Sequence, residues 1–214
     1  MFTGIVEEIG KIEKTTTIAG GLKLKISAAK ILEDINVNDS ICVEGVCLTV
    51  TETGKNYFLV DAVGATLEKT TFNGIQQNDS VNLERSVRLN DRLGGHLVQG
   101  HVNGVGKITG IKKLGENYLV KILIPEDLER YLIKEGSIAI NGISLTIADL
   151  EKNEISISII PHSWENTNLK SKKENDSVNI EIDILAKYVE KLLSKSNSSS
   201  EKNISEGWLK ELGY

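Results

Sequence analysis

The chain has few aromatic residues (three Phe, five Tyr and two Trp) and only two Pro among its 214 residues. Against these stand 19 Gly, a balance that suits tight turns between short strands. No apolar run approaches the ~20 residues of a membrane-spanning helix, and Met1-Phe2-Thr3-Gly4-Ile5 has neither the basic start nor the apolar middle of an export signal. Only two cysteines occur, Cys42 and Cys47, in one apolar run. Read as a single strand, that run turns them to opposite faces, so they stay unbonded thiols. Free thiols without an export signal predict a cytoplasmic protein. Three histidines (His96, His101, His162) and no CxxC leave no metal site. Basic residues number 25 against 30 acidic, for a net charge of −5, which argues against a nucleic-acid partner. The nearest basic cluster, Lys170-Ser171-Lys172-Lys173, runs into Glu174 and Asp176 and reads as a solvated turn. Neither GxGxxG nor a Walker pattern is found.

What the chain has is an internal repeat. Ile41-Cys-Val-Glu-Gly-Val-Cys-Leu-Thr-Val50 matches Ile138-Ala-Ile-Asn-Gly-Ile-Ser-Leu-Thr-Ile147, a shift of 138 − 41 = 97. Asn78–Glu84 matches Asn175–Glu181 at the same shift, as does Thr66–Phe72 with Ser163–Leu169. Thr3–Ile12 matches Gln99–Ile108 at 96. Four segments in one order at nearly one offset mean two like domains. Their predicted extents are 1–96 and 97–183, with a helix over 184–193 and a linker and tail over 194–214.

Each half predicts an all-β barrel or sandwich. Leu22–Ile26, Ser156–Ile160 and Val178–Ile182 alternate apolar and polar residues. Turn residues at 20–21, 38–39, 54–56, 74, 78–79, 115–117 and 152–153 separate the runs. Short helices are expected over Ala28–Glu33, Ala65–Thr70, Glu126–Ile133 and Ser163–Asn168. Gly45 and Gly142 fall at matched points inside matched strands and mark either a bulge or a close backbone approach. After Ile184 the apolar stripe is helical, with Leu185, Tyr188, Val189, Leu192 and Leu193 on one side. That helix caps a barrel or, the reading favoured here, packs against copies of itself. Asn203–Tyr214 predicts a further short helix.

Matched loops and strands carry hydroxyls rather than charges: Thr49 and Thr66 in one half, Thr146 and Ser163 in the other. Such groups suit a neutral, hydroxyl-rich or heterocyclic ligand, held once in each half. The halves differ where Cys47 gives way to Ser144 and Ile5 to His101. Spacing alone assembles no Ser–His–acid triad.

Met1-Phe-Thr-Gly-Ile-Val6, Gly45-Val-Cys-Leu-Thr49, Gly94-Gly-His-Leu-Val-Gln-Gly-His-Val102, Asn141-Gly-Ile-Ser-Leu-Thr146 and Val178-Asn-Ile-Glu-Ile-Asp183 resemble the riboflavin synthase family of the α-chain type, over roughly residues 1–193. The resemblance implies two six-stranded Greek-key β-barrels followed by a C-terminal helix, assembled as a homotrimer. It implies conversion of two 6,7-dimethyl-8-ribityllumazine molecules into riboflavin and a ribitylamino-pyrimidinedione, with no cofactor and no metal. The active site would lie between the N-terminal barrel of one subunit and the C-terminal barrel of a neighbour. A surrounding lumazine synthase shell is left open.

Carried over by position, the resemblance places Gly4, Ile5 and Val6, Cys47, Leu48 and Thr49, and Asp61, Ala62, Val63, Gly64, Ala65 and Thr66 at the N-barrel pocket. It places Gly100, His101 and Val102, Ser144, Leu145 and Thr146, and Ile160, Pro161, His162, Ser163, Trp164 and Glu165 at the C-barrel pocket, and counts Glu135 among the substrate-binding residues. His101 and Ser144 are the expected proton-transfer residues, with Cys47 and Asp183 assisting. Three positions depart from the family pattern: Asn141 replaces a frequent Asp, Glu135 aligns with a frequent Lys, and Gly64-Ala65 replaces a Pro-Glu. The same duplicated fold also serves non-catalytic lumazine- or flavin-binding fluorescent proteins, the alternative reading. A flavin-dependent reductase would need a nucleotide domain for which no residues remain.

Overall fold

The computed structural model describes residues 1–198. The first half closes into a barrel of β1 (Glu8–Ile18), β2 (Gly21–Ser27), β3 (Ser40–Val43), β4 (Val46–Thr53), β5 (Tyr57–Val63) and β6 (Ser80–Arg85). The second repeats it with β7 (Gly104–Leu114), β8 (Asn117–Leu123), β9 (Ser137–Ile140), β10 (Ile143–Glu151), β11 (Glu154–Ile159) and β12 (Ser177–Ile182). Strand order around the wall is β1-β2-β5-β4-β3-β6 and, equivalently, β7-β8-β11-β10-β9-β12. All pairs are antiparallel, so these are two six-stranded Greek-key barrels. Register shifts at Ile12/Lys14 and Val50/Glu52 recur at Ile108/Gly110 and Ile147/Asp149. Such bulges bend long strands enough to close a small barrel.

Alternation fills each interior. Ile12, Leu24, Ile26, Phe58, Val60, Phe72 and Leu83 are fully buried in the first barrel; Ile108, Ile138, Ile140, Ile155, Ile157, Val178 and Ile180 occupy the second.

Several local expectations are corrected. The run around Gly45 is two strands joined by a hairpin turn. Glu44 and Gly45 take φ of 52° and 80°, and Asn141 and Gly142 repeat this at 48° and 78°. Two consecutive positive φ values make a type I′ turn, whose twist matches that of the flanking strands. Cys42 and Cys47 are therefore direct cross-strand partners rather than residues on opposite faces, and both remain free thiols. Of the two alternatives at the glycines, no bulge forms and the close approach is real. A Cβ on Gly45 would lie 2.7 Å from the Gly142 nitrogen. The segments 28–33 and 126–133 supply only 3₁₀ turns, Ile31–Glu33 and Glu126–Tyr131. α1 (Gly64–Lys69) and α2 (Pro161–Glu165) follow β5 and β11. The C-terminal helix α3 (Ile184–Ser198) continues past Leu193 into the expected linker. The tail helix over Asn203–Tyr214 lies outside the described residues.

Buried amides and one carboxylate join the barrels. The Glu44 carboxylate accepts from the Asn82 N–H at 2.6 Å and the Asn168 amide at 2.8 Å. The Asn179 amide donates to the Glu44 carbonyl at 2.8 Å, and Asn82 reaches the Asn141 carbonyl at 3.1 Å. Burial pushes the Glu44 carboxyl up to about 7, against the pull of Lys172. A carboxyl whose folded pKa lies above its unfolded one favours folding most while protonated. Stability should therefore fall by about 2 kcal/mol between pH ~5.5 and ~8 through this group. Denaturant titrations at both pH values check this, and Glu44→Gln should flatten that part of the slope.

Candidate active site

The N-terminal segment of each half leaves its own barrel and runs along the other. Cys47 N–H donates to the Gly100 carbonyl at 2.8 Å, and Ser144 N–H donates to the Gly4 carbonyl at 2.8 Å. A Cβ on Gly4 would stand 2.6 Å from the Ser144 Cβ, and one on Gly100 would stand 2.6 Å from the Cys47 Cβ. Only glycine allows these contacts at φ of +77° and +78°. Phe2 and Val98 exchange backbone bonds of 2.7 and 3.1 Å where the two segments cross. Val102 packs against the first barrel's core. Within the chain, Gly4 thus lies against Ser144 of the second barrel and Gly100 against Cys47 of the first.

Each crossing segment is anchored by a buried carboxylate on the last strand of its own barrel. Glu84 accepts from the Thr3 N–H (2.6 Å), the Thr3 hydroxyl (2.7 Å) and the Gly4 N–H (3.0 Å). Glu181 accepts from the N–H groups of Gln99 (2.7 Å), Gly100 (2.9 Å) and His101 (3.0 Å). Burial raises both carboxyls, although the N–H donors oppose it. The sequence reading missed both residues. Their signal was an acidic residue at a matched place in each apolar strand.

The side chains of Cys47 and Thr49 alternate with the buried Val46, Leu48 and Val50, so they face out of the barrel wall. Ser144 and Thr146 stand likewise on β10. Asp61 faces outward on β5 and pairs with Lys23 at 3.3 Å. The Leu48 and Ala62 side chains pack into the core, which leaves only their backbone for a ligand. Trp164 is also buried, stacked on Tyr118 with ring centroids 4.0 Å apart. Leu145 is half-buried on β10. Thr66 and Ser163 sit in α1 and α2, where their carbonyls accept from Thr70 and Thr167 at 2.8 Å each. Gly64 and Ala65 open α1. Val63 (59% exposed) and Ile160 (54%) are matched apolar rims before the two helices, and Ile5 (50%) is a third. Pro161, His162 and Glu165 complete α2, with the His162 carbonyl accepting from the Asn166 amide at 2.8 Å. Glu135 is an exposed turn residue at φ 66°, its N–H held by the Ile147 carbonyl. Lys134 pairs with Asp149 at 3.1 Å.

His101 and Ser144 are not brought together. Ser144 Oγ instead meets His96 Nδ1 at 2.7 Å. His96 is 8% exposed, its N–H donates to the Thr3 carbonyl at 3.2 Å, and its Nε2 has no hydrogen-bond partner among the described residues. Burial lowers its pKa, while the charge of Asp183 pulls it back up. The imidazole is thus kept neutral near pH 7, able to take a proton from Ser144 or through it. Serine and histidine do meet, in a way that spacing did not reveal, and the carboxylate of Asp183 acts on the imidazole through its charge.

Residues 3–86 and 99–183 each match the Lumazine binding domain. Riboflavin synthase of Actinobacillus pleuropneumoniae is 42% identical over 215 residues, covering 100% of both chains. That of Bacillus subtilis (strain 168) is 40% identical with the same coverage. The chain belongs to the riboflavin synthase family. Among solved structures, LumP complexed with riboflavin aligns with a TM-score of 0.80 at 30% identity, over 85% of this chain and 99% of that one. LumP complexed with 6,7-dimethyl-8-(1'-D-ribityl) lumazine aligns at 0.78 and 29%. Family membership accounts for the duplication: each lumazine-binding unit presents one hydroxyl-bearing face. Among the described residues no helix is long and apolar enough to cross a membrane.

Proposed function

We infer that the chain is a riboflavin synthase, a transferase that moves a four-carbon unit between two molecules of 6,7-dimethyl-8-ribityllumazine. The products are riboflavin and 5-amino-6-ribitylamino-2,4(1H,3H)-pyrimidinedione. The reading is carried by the crossed arrangement. Two like faces, each completed by a segment of the other half, suit two copies of one heterocycle. They differ at a position able to take part in proton transfer, Cys47 on one face against Ser144 on the other.

Positioning supplies most of the rate. The 7-methyl protons of the lumazine are acidic because the anion delocalises into the ring, so no strong nucleophile is required. Oriented pairs reach effective molarities on the order of 10⁵ M or more, and proton transfer adds ~10²–10⁴-fold. In this reading Thr49, Thr66, Thr146 and Ser163 hold ring edges and ribityl hydroxyls. Ser144, with His96 behind it, handles the proton at one face, while Cys47 and His101 serve the other. The charge of Asp183 favours the imidazole once it holds the proton. Three copies assemble as a homotrimer, so that the first barrel of one subunit faces the second barrel of its neighbour. The exposed rims Val63 and Ile160 and the exposed Tyr188, Val189, Leu192 and Leu193 of α3 support that assembly. The chain would work in the cytoplasm, with a lumazine synthase shell as an optional partner.

The test supplies purified protein with dimethylribityllumazine alone. Riboflavin and the pyrimidinedione should appear in a one-to-one ratio. The likeness to LumP makes a non-catalytic binder the second reading, and tightly held, unconverted ligand would establish it instead.

A further inference from the structure

We propose that Glu84 and Glu181 are positioning residues that act across the molecule, each fixing the reactive face of the opposite barrel. The proposal rests on the reading of Ser144 and Cys47 given above. Glu84 lies on β6 of the first barrel, yet everything it clamps belongs to the second face. The Thr3 carbonyl, next to the clamped N–H, receives the His96 N–H at 3.2 Å, and the Gly4 carbonyl receives the Ser144 N–H at 2.8 Å. Both members of the Ser144–His96 pair thus hang from one strap, and one carboxylate holds that strap. Glu181, on β12 of the second barrel, likewise holds Gly100, whose carbonyl receives the Cys47 N–H of the first.

Two physical features make the coupling tight. The straps outside β1 and β7 lack continuous strand pairing, since Phe2–Val98 is an isolated bridge. Charge-assisted bonds to the carboxylates therefore do the work that a ladder does elsewhere. Contact beneath the straps also leaves no room for a side chain, because a Cβ on Gly4 or Gly100 would stand 2.6 Å from the Cβ of Ser144 or Cys47. A strap that shifts moves the side chain under it. Glutamine is a poor substitute, since its amide would point a donor at N–H donors.

The test uses the full-length protein and two reporters that need no turnover. One is the imidazole Cε1–H resonance of His96, assigned among only three histidines. The other is the iodoacetamide alkylation rate of half-buried Cys47, with buried Cys42 as internal reference. Glu84→Gln should displace the His96 resonance and its titration while Cys47 alkylation stays within about twofold. Glu181→Gln should raise Cys47 alkylation on the order of tenfold and leave the His96 resonance in place. Turnover should fall by about 10²-fold in each. If Glu84→Gln fails to fold, Thr3→Val removes the 2.7 Å hydroxyl bond to Glu84 and the 3.3 Å bond from the Ile5 N–H, keeps the backbone clamp, and should shift the same resonance less. The proposal is overturned if each variant disturbs only its own barrel's reporter, if both reporters respond alike in both variants, or if neither moves. Absence of turnover in the unmodified protein would count against the enzymatic reading alone and leave these reporters to decide.

Discussion

His96→Gln is expected to fold normally and to form riboflavin about 10²–10⁴-fold more slowly. Glutamine keeps a polar group near Ser144 but cannot take a proton at neutral pH. The His96 backbone stays tied to Thr3, so the strap need not move. What disappears is the only titratable group hydrogen-bonded to the Ser144 hydroxyl among the described residues. The pH profile sharpens the test. Because burial holds the imidazole below its ordinary value, turnover should persist under the usual histidine range and decline only as pH falls through the lowered pKa. Steady-state rates from mildly acid to neutral pH, with circular dichroism as a folding control, measure both effects. Unchanged turnover in His96→Gln would remove it from the chemistry and return the role to His101, an exposed residue next to Gly100, which lies against Cys47.

The barrels were legible because their signal is periodic. Leu22-Lys-Leu-Lys-Ile26 becomes β2 with Leu24 and Ile26 inside, and the repeat at 97 maps strand onto strand. The site's hydroxyls were legible too, since Thr49 and Thr146 stand at matched outward positions. The exchange of straps was not. Thr3 meets Glu84 across a separation of 81 residues and His96 meets Ser144 across 48, with no period in either segment. Sequence adjacency pointed the other way, grouping Gly4 with its own barrel. The hairpin at Asn141-Gly142 did carry a type I′ turn signal. Its mate Glu44-Gly45 lacks the usual Asn, so the apolar residues around it read as one strand and Cys42 and Cys47 fell on the wrong faces.

The two hairpins also set the largest stability effect. Gly142→Ala is expected to cost about 3–5 kcal/mol, a sizeable part of a domain's ~5–15 kcal/mol. Two costs add. The backbone at φ +78° disfavours any Cβ by roughly 1–2 kcal/mol. The new methyl would also stand 2.8 Å from the Gly45 nitrogen and 3.3 Å from Cys42 Sγ, with backbone on the far side that cannot rotate away. Gly20 separates these costs, because it has φ +77° and nothing within 4 Å of its would-be Cβ. Gly20→Ala should therefore show the backbone cost alone. Denaturant unfolding of both variants gives the difference directly, and equal losses would mean that the hairpins yield without resistance. Gly45→Ala should lose a similar amount, yet the double variant should lose less than the sum. Either methyl alone already forces the two turns apart, so the second enters a gap that the first has opened.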